Sequence, residues 1–194
     1  NHIMYVWLDA LTNYLTAVGY PNTDASDYRM FWPANLHMVG KDILRFHAVY
    51  WPAFLLAAGI EPPRRIYAHG WWTVEGQKMS KSLGNVIDPY EIIERYGLDQ
   101  ARYFMLREVP FGNDGDFSHR AIVTRINNDL ANDLGNLAQR SLSMIYKNCG
   151  GAIPEPSDFT ESDNTMLQKV DGLLGRMRGH LEVQAFQKSL EEAW

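Results

Sequence analysis

Two lysines three residues apart, in Lys78-Met79-Ser80-Lys81-Ser82, are the groups of this chain best suited to chemistry on a phosphate. As pyrophosphate leaves a triphosphate, negative charge grows on the phosphoryl oxygens, and ammonium groups carried on a loop can meet that charge where it develops. The spacing is not that of a Gly-x-x-x-x-Gly-Lys-Ser/Thr phosphate loop, and by residue type alone the stretch reads as a solvated loop. Ser80 and Ser82 read as hydroxyls that stabilise it, because no histidine–carboxylate relay is set beside them. A second set, Ile43, His47 and Trp51, repeats every four residues and shares one face of a helix, with Asp42 in the first turn near the positive end of the dipole. One face can line one pocket, although this spacing by itself favours core packing around a satisfied imidazole.

The elements that must position these groups alternate. The apolar run His2 to Leu8 suits a buried strand. Asp9 to Val18 reads as a helix capped by Gly19. A strand at Leu36–Val39 ends in Gly40, and Asp42 to Ala58 follows as a helix that Pro52 kinks and Gly59 ends. Pro62-Pro63 breaks the chain before a strand at 65–68, and Thr73 to Gln77 reads as a turn into the lysine loop. Strands and helices in this order predict a parallel α/β sheet, half of a Rossmann-like fold. Later, Pro89 opens a helix ended by Gly97, Asp99 caps another to Glu108, and Asp114-Gly115-Asp116 makes a turn. Ser118 then caps a long helix striped by Ile122, Ile126, Leu130, Leu134 and Leu137. A second begins near Ser162, striped by Leu167, Val170, Leu174, Met177 and Leu181. Joined through the loop holding Pro154 and Pro156, the two predict an all-α bundle.

Composition permits this. The 194 residues are 46% hydrophobic and 12% aromatic, enough for a substantial core, and five of the six tryptophans fall before residue 73. The formal charge of −5 gives no global basic field, yet a local patch can still hold nucleic acid. The single cysteine, Cys149, leaves no disulfide and no zinc-ligand spacing, and reads as a small hydrophobe at a helix end. With no membrane-spanning run and no secretory signal, a cytoplasmic location is expected.

The lysine pentapeptide resembles the second signature of class I aminoacyl-tRNA synthetases. With Val6-Trp7-Leu8-Asp9-Ala10 and Tyr14, then Gly40-Lys41-Asp42-Ile43, His47 and Trp51, three stretches in consistent order resemble the methionyl-tRNA synthetases, from about Tyr5 to Arg140. The resemblance implies that Trp7, Ala10, Tyr14, Ile43, His47 and Trp51 line a methionine side-chain pocket. Asp42 beside Gly40 would approach the adenosine ribose, and His69, Gly70 and the backbone near Trp72 would border adenine. Lys78, Met79, Ser80, Lys81 and Ser82 would form the ATP loop, with Lys78 and Lys81 acting on departing pyrophosphate and Mg2+ entering with ATP. A thioether calls for an aromatic cage with weak donors near sulfur, which Tyr14 and His47 can supply. Asn136 and Arg140 match the residues with which the family reads the anticodon of tRNA(Met), an amide and a guanidinium on one helix face. Arg120, Arg125, Arg176 and Arg178 read as solvated.

The expected organisation is residues 1–117 as the later part of the nucleotide-binding domain and 118–194 as the start of the anticodon-binding bundle. No His-Ile-Gly-His-type signature occurs in the sequence, so the chain is expected to be an internal piece of a longer enzyme, inactive alone. Two rivals stand beside this reading: a tRNA-binding or structural module without activity, and a class I synthetase for isoleucine, valine, leucine or cysteine.

Overall fold

The computed structural model describes residues 6–194. It divides into two compact units, up to Trp71 and from Trp72 onward. The division in packing lies elsewhere than the expected change of architecture at 117/118, because the strand Trp72–Val74 pairs with Gly115–Phe117.

In the first unit, helix α1 spans Trp7–Thr16 and buries Leu11 and Leu15. The expected strand over residues 2–8 lies largely outside the described residues, and its end is corrected: Trp7 and Leu8 are helical. Gly19, at φ +99, terminates the helix, and the Tyr20 N–H reaches back to the Leu15 carbonyl at 3.1 Å, the six-to-one bond of a Schellman motif. A short α2, Ser26–Phe31, precedes strand β1, His37–Gly40. The chain then takes a 3-10 turn over Lys41–Ile43, a π-helical segment over Phe46–Tyr50 and helix α3, Trp51–Ala57. The π segment is the form the expected proline kink takes. Pro52 has no N–H and its ring crowds the carbonyl one turn back, and just before it the Trp51 N–H bonds to Phe46, five residues away. Strand β2, Ile66–His69, returns parallel to β1 with Gly40 opposite His69. The predicted parallel pairing is therefore present, with each strand displaced by one residue. Leu11, Leu15, Trp32, Trp51 and Leu55 form the core of this unit.

The second unit opens with β3, Trp72–Val74, and β4, Gln77–Lys78, in antiparallel register. Residues 73–77 are thus mostly strand, and only Glu75 and Gly76 turn, both at positive φ, as a two-residue hairpin requires. After a 3-10 turn at Lys81–Leu83, helix α4 (Pro89–Tyr96) is capped by Asp88, which accepts the Tyr90 N–H at 2.8 Å. Helix α5 runs Leu98–Arg107 with Gly97, not Asp99, at its N-cap. Strand β5, Gly115–Phe117, replaces the turn expected there and pairs parallel with β3. A Cβ on Gly115 would stand 2.9 Å from the Trp72 ring, so glycine lets the indole lie on the strand. Asp116 accepts the Thr73 hydroxyl at 2.5 Å and the Gly76 N–H at 2.7 Å, which fixes the hairpin and holds its carboxyl below the usual range.

Ser118 caps α6 (His119–Arg125) by accepting the Ala121 N–H at 3.1 Å. The chain continues as a π segment, Ile126–Gly135, and α7, Asn136–Asn148. The wider turn changes the phase of the predicted stripe: Ile122 is fully buried, while Leu134 and Leu137 are exposed and Asp129 is buried instead. Tyr103 donates to Asp129 at 2.7 Å and Arg125 at 3.2 Å, while Trp194 Nε1 donates to the Asp129 carbonyl at 3.1 Å. Helix α8, Glu161–Glu182, starts from a capping box of Thr160 and Asp163. Its stripe residues Leu167, Val170, Leu174 and Leu181 are exposed. It meets α9, Phe186–Glu191, where Ser189 donates to the Met177 carbonyl at 3.2 Å.

Candidate active site

Trp7, Ala10 and Tyr14 stand three and four residues apart, so once Trp7 is helical all three share a face of α1. That face meets the π segment. Trp7 stacks on Phe46 with centroids 4.0 Å apart, and Tyr14 lies 5.7 Å from His47 and 6.3 Å from Trp51. His47 and Trp51 are buried at 2% exposure each, whereas Ala10 is exposed and Tyr14 is 38% exposed, so the patch opens on its α1 side.

The hydrogen bonds here have a fixed direction. His47 Nδ1 is 3.0 Å from the Ile43 carbonyl, which can only accept, so Nδ1 carries the hydrogen. Nε2 is then the acceptor for the Tyr14 O–H at 3.0 Å. Both hydrogens are engaged within the protein. The patch presents ring faces and polarised ring edges, together with the Trp51 Nε1–H, which is buried without a hydrogen-bond partner among the described residues. Burial raises the Tyr14 hydroxyl above its ordinary pKa, so it remains a donor.

His37 belongs to the same patch and was not legible as a site residue. It lies 4.4 Å from Tyr14 and 6.2 Å from both Trp32 and His47. Its Nδ1 is buried with no hydrogen-bond partner among the described residues, and burial, then the neighbouring His47, lowers its pKa to about 4. The signal that could have found it is the period of two: Val39 faces the core, so His37 does too.

The carboxyl ends of β1 and β2 carry the next group, at the edge where open parallel sheets bind ligands. Gly40 lies opposite His69. A Cβ on Gly40 would come within 2.6 Å of Asp42 Oδ1, so the glycine lets that carboxylate fold back over the strand end. Trp71 Nε1 donates to the same oxygen at 3.4 Å, and Lys41 Nζ stands 4.1 Å from the centre of the Trp71 ring. His69 Nδ1 donates to the Gly70 carbonyl at 2.8 Å, and Gly70 is buried.

In the second unit Lys78 ends β4 and Lys81 opens the 3-10 turn, both exposed. Asn85, unassigned from sequence, clamps the loop: it accepts the Ser80 N–H at 2.8 Å and donates to the Lys78 carbonyl at 3.1 Å. Ser80 Oγ lies 2.7 Å from Ser82 Oγ and caps the turn by accepting the Ser82 N–H, so the serines serve the loop itself. Met79 joins Trp72, Ile92 and Phe117 in lining an apolar cleft of about 500 Å3. The Trp72 ring packs 5.6 Å from Phe104 and is half-buried against the core of this unit. Asn136 and Arg140 are exposed on the first turns of α7. Arg125 is engaged by Glu108 and Asp129, and Arg176 by Glu192. Among the described residues no group of three or more His, Cys, Asp or Glu could hold a metal ion, and no helix is long and apolar enough to cross a membrane.

Residues 1–142 match the family model described as tRNA synthetases class I (M). Over all 194 residues the chain is 61% identical to the methionine–tRNA ligase of Mycobacterium leprae and 62% identical to that of Mycobacterium tuberculosis, covering 36% and 37% of their lengths. Over 189 residues it is 60% identical to the Brucella suis enzyme. Among solved structures, M. tuberculosis methionyl-tRNA synthetase bound by methionyl-adenylate matches the whole chain at a TM-score of 0.90 and 62% identity, over 38% of its own length. Its apo form matches at 0.86. The chain thus spans little more than a third of these relatives, and it belongs to the methionyl-tRNA synthetase family of class I tRNA synthetases.

Proposed function

We propose that this chain is part of a longer methionine–tRNA ligase, which joins methionine to ATP as methionyl-adenylate and then passes it to the 3′ end of tRNA(Met). The observation that carries the reading is the joining of Trp7, Tyr14, His47 and Trp51 into one aromatic patch, in a chain 62% identical to a synthetase bound by methionyl-adenylate.

Residues 1–117 are the later part of a Rossmann-type catalytic domain and 118–194 the start of the anticodon-binding bundle. Trp7, Ala10, Tyr14, Ile43, His47 and Trp51 take the methionine side chain. A thioether is unbranched and polarizable, and it suits a patch that offers mostly ring faces and edges. A methionine carboxylate oxygen attacks the α-phosphorus of ATP, the bond to the β-phosphate breaks, and pyrophosphate leaves with Mg2+. Gly40, Asp42, His69, Gly70 and the Trp72 backbone border the adenosine. Lys78 and Lys81, on the loop of Met79, Ser80 and Ser82, carry charge to the departing oxygens. A hydroxyl of the terminal tRNA ribose then attacks the carbonyl carbon of the adenylate, loses its proton and displaces AMP. Positioning and electrostatics do most of this work. The reaction is cytoplasmic, and the 194-residue chain is inactive alone because its sequence holds no His-Ile-Gly-His-type signature.

Charging of tRNA with a CAU anticodon by the full-length enzyme tests the assignment. Arg140→Ala should weaken tRNA binding by about 1–3 kcal/mol and leave pyrophosphate exchange intact. Equal charging of a tRNA with a changed anticodon contradicts it.

A further inference from the structure

We propose that Trp71 is a positioning residue for the Asp42 carboxylate, and through it a determinant of ribose recognition. The inference rests on the reading of Asp42 given above and adds the residue that holds it. Lys41 and Asp42 are neighbours of opposite charge, and the Trp71 indole meets both. Its face lies under the Lys41 ammonium, 4.1 Å from ring centre to Nζ, while its N–H points to Asp42 Oδ1 at 3.4 Å. The same oxygen lies over Gly40, where a Cβ would come within 2.6 Å. Oδ1 thus takes the indole N–H in the space that Gly40 leaves open, and a carboxylate has a second oxygen with which to accept a hydroxyl hydrogen.

Both contacts come from one ring, and they are chemically separable. The cation needs an aromatic face, which phenylalanine also has. The carboxylate needs the indole N–H, which among the apolar aromatic side chains only tryptophan has. Trp71→Phe therefore leaves Lys41 its platform and releases Asp42. In a structural role, Trp71 would affect the methionine and ATP ends alike. In a positioning role it affects the ribose alone.

The test is methionine-dependent pyrophosphate exchange by the full-length enzyme, with ATP and with 2′-deoxy- and 3′-deoxy-ATP. Trp71→Phe is expected to raise the KM for ATP about 3- to 10-fold and to shrink the preference for ATP over one deoxy analogue by the same factor. The KM for methionine should not move, and kcat should stay within about twofold. An unchanged preference in Trp71→Phe, alongside a lost preference in Asp42→Asn, overturns the inference and leaves the proposed function standing. A parallel rise in the KM for methionine also overturns it, since that marks general loosening. No preference lost in Asp42→Asn, or no methionine-dependent exchange by the wild type, removes the reading of Asp42 and the inference with it.

Discussion

The aromatic patch of the first unit and the lysine loop of the second are built on opposite plans. In the patch, His47 and Trp51 are buried at 2% exposure, every ring touches another, and a hydrogen-bond chain runs from Tyr14 through His47 to a backbone carbonyl. In the loop the lysines are exposed, and order comes from Asn85 and two serines bonded to the backbone and to each other. A neutral thioether is recognised by shape and dispersion, which demand a preformed, well-packed wall. A departing pyrophosphate is recognised by charge, which needs only cations on a scaffold held in place by its own short hydrogen bonds. Damage to the patch should therefore cost stability, and damage to the loop should cost rate.

The largest effect expected is on stability. Trp51→Ala empties a fully buried site and should destabilise the protein by about 3–5 kcal/mol, measured by denaturant unfolding. A loss under about 1 kcal/mol would mean the patch is not a packed wall. Lys81→Ala sharpens the contrast from the other side. Adenylate formation in the full-length enzyme should fall about 100-fold, with stability within about 0.5 kcal/mol of the wild type, and an undiminished rate would contradict the assigned role.

His37 gives the patch a pH dependence. Its folded pKa is lowered to about 4 from the ordinary 6.5, so between those values the unfolded chain binds the extra proton. Stability is fully present above pH 6.5 and falls as pH drops towards 4, by about 3 kcal/mol at most. Comparison of unfolding at pH 7 and pH 4.5 should show this fall in the wild type and a smaller one in His37→Phe. The smallest effect belongs to Tyr14→Phe, which leaves the buried His47 Nε2 without its donor. It should cost about 1–2 kcal/mol and raise the KM for methionine severalfold; an unchanged KM would separate Tyr14 from the pocket.

The Lys78–Ser82 stretch was legible as a loop stabilised by its hydroxyls because Ser80 and Ser82 bond within it. The capping Ser118 was legible because it acts locally, within three residues, whereas Asp88, which caps the Pro89 helix, was not singled out. Features fixed by distant partners were not. Trp7 follows an apolar run and was read into a strand, yet its stacking on Phe46 is made across 39 residues of chain. The sequence Asp114-Gly115-Asp116 reads as a turn until Trp72 is seen lying on Gly115. A π segment and an α-helix leave the same apolar spacing, so nothing in the Ile122 to Leu137 stripe announced that its far end would leave the core.

The central claim is that the aromatic patch selects methionine for reaction with ATP. Pyrophosphate exchange by the full-length enzyme with a panel of methionine, isoleucine, valine, leucine and cysteine tests it most directly. Exchange driven by methionine alone, lost when Trp51 or His47 is replaced by alanine, is the predicted result. Exchange driven equally by a branched amino acid, or untouched by those replacements, would contradict the account.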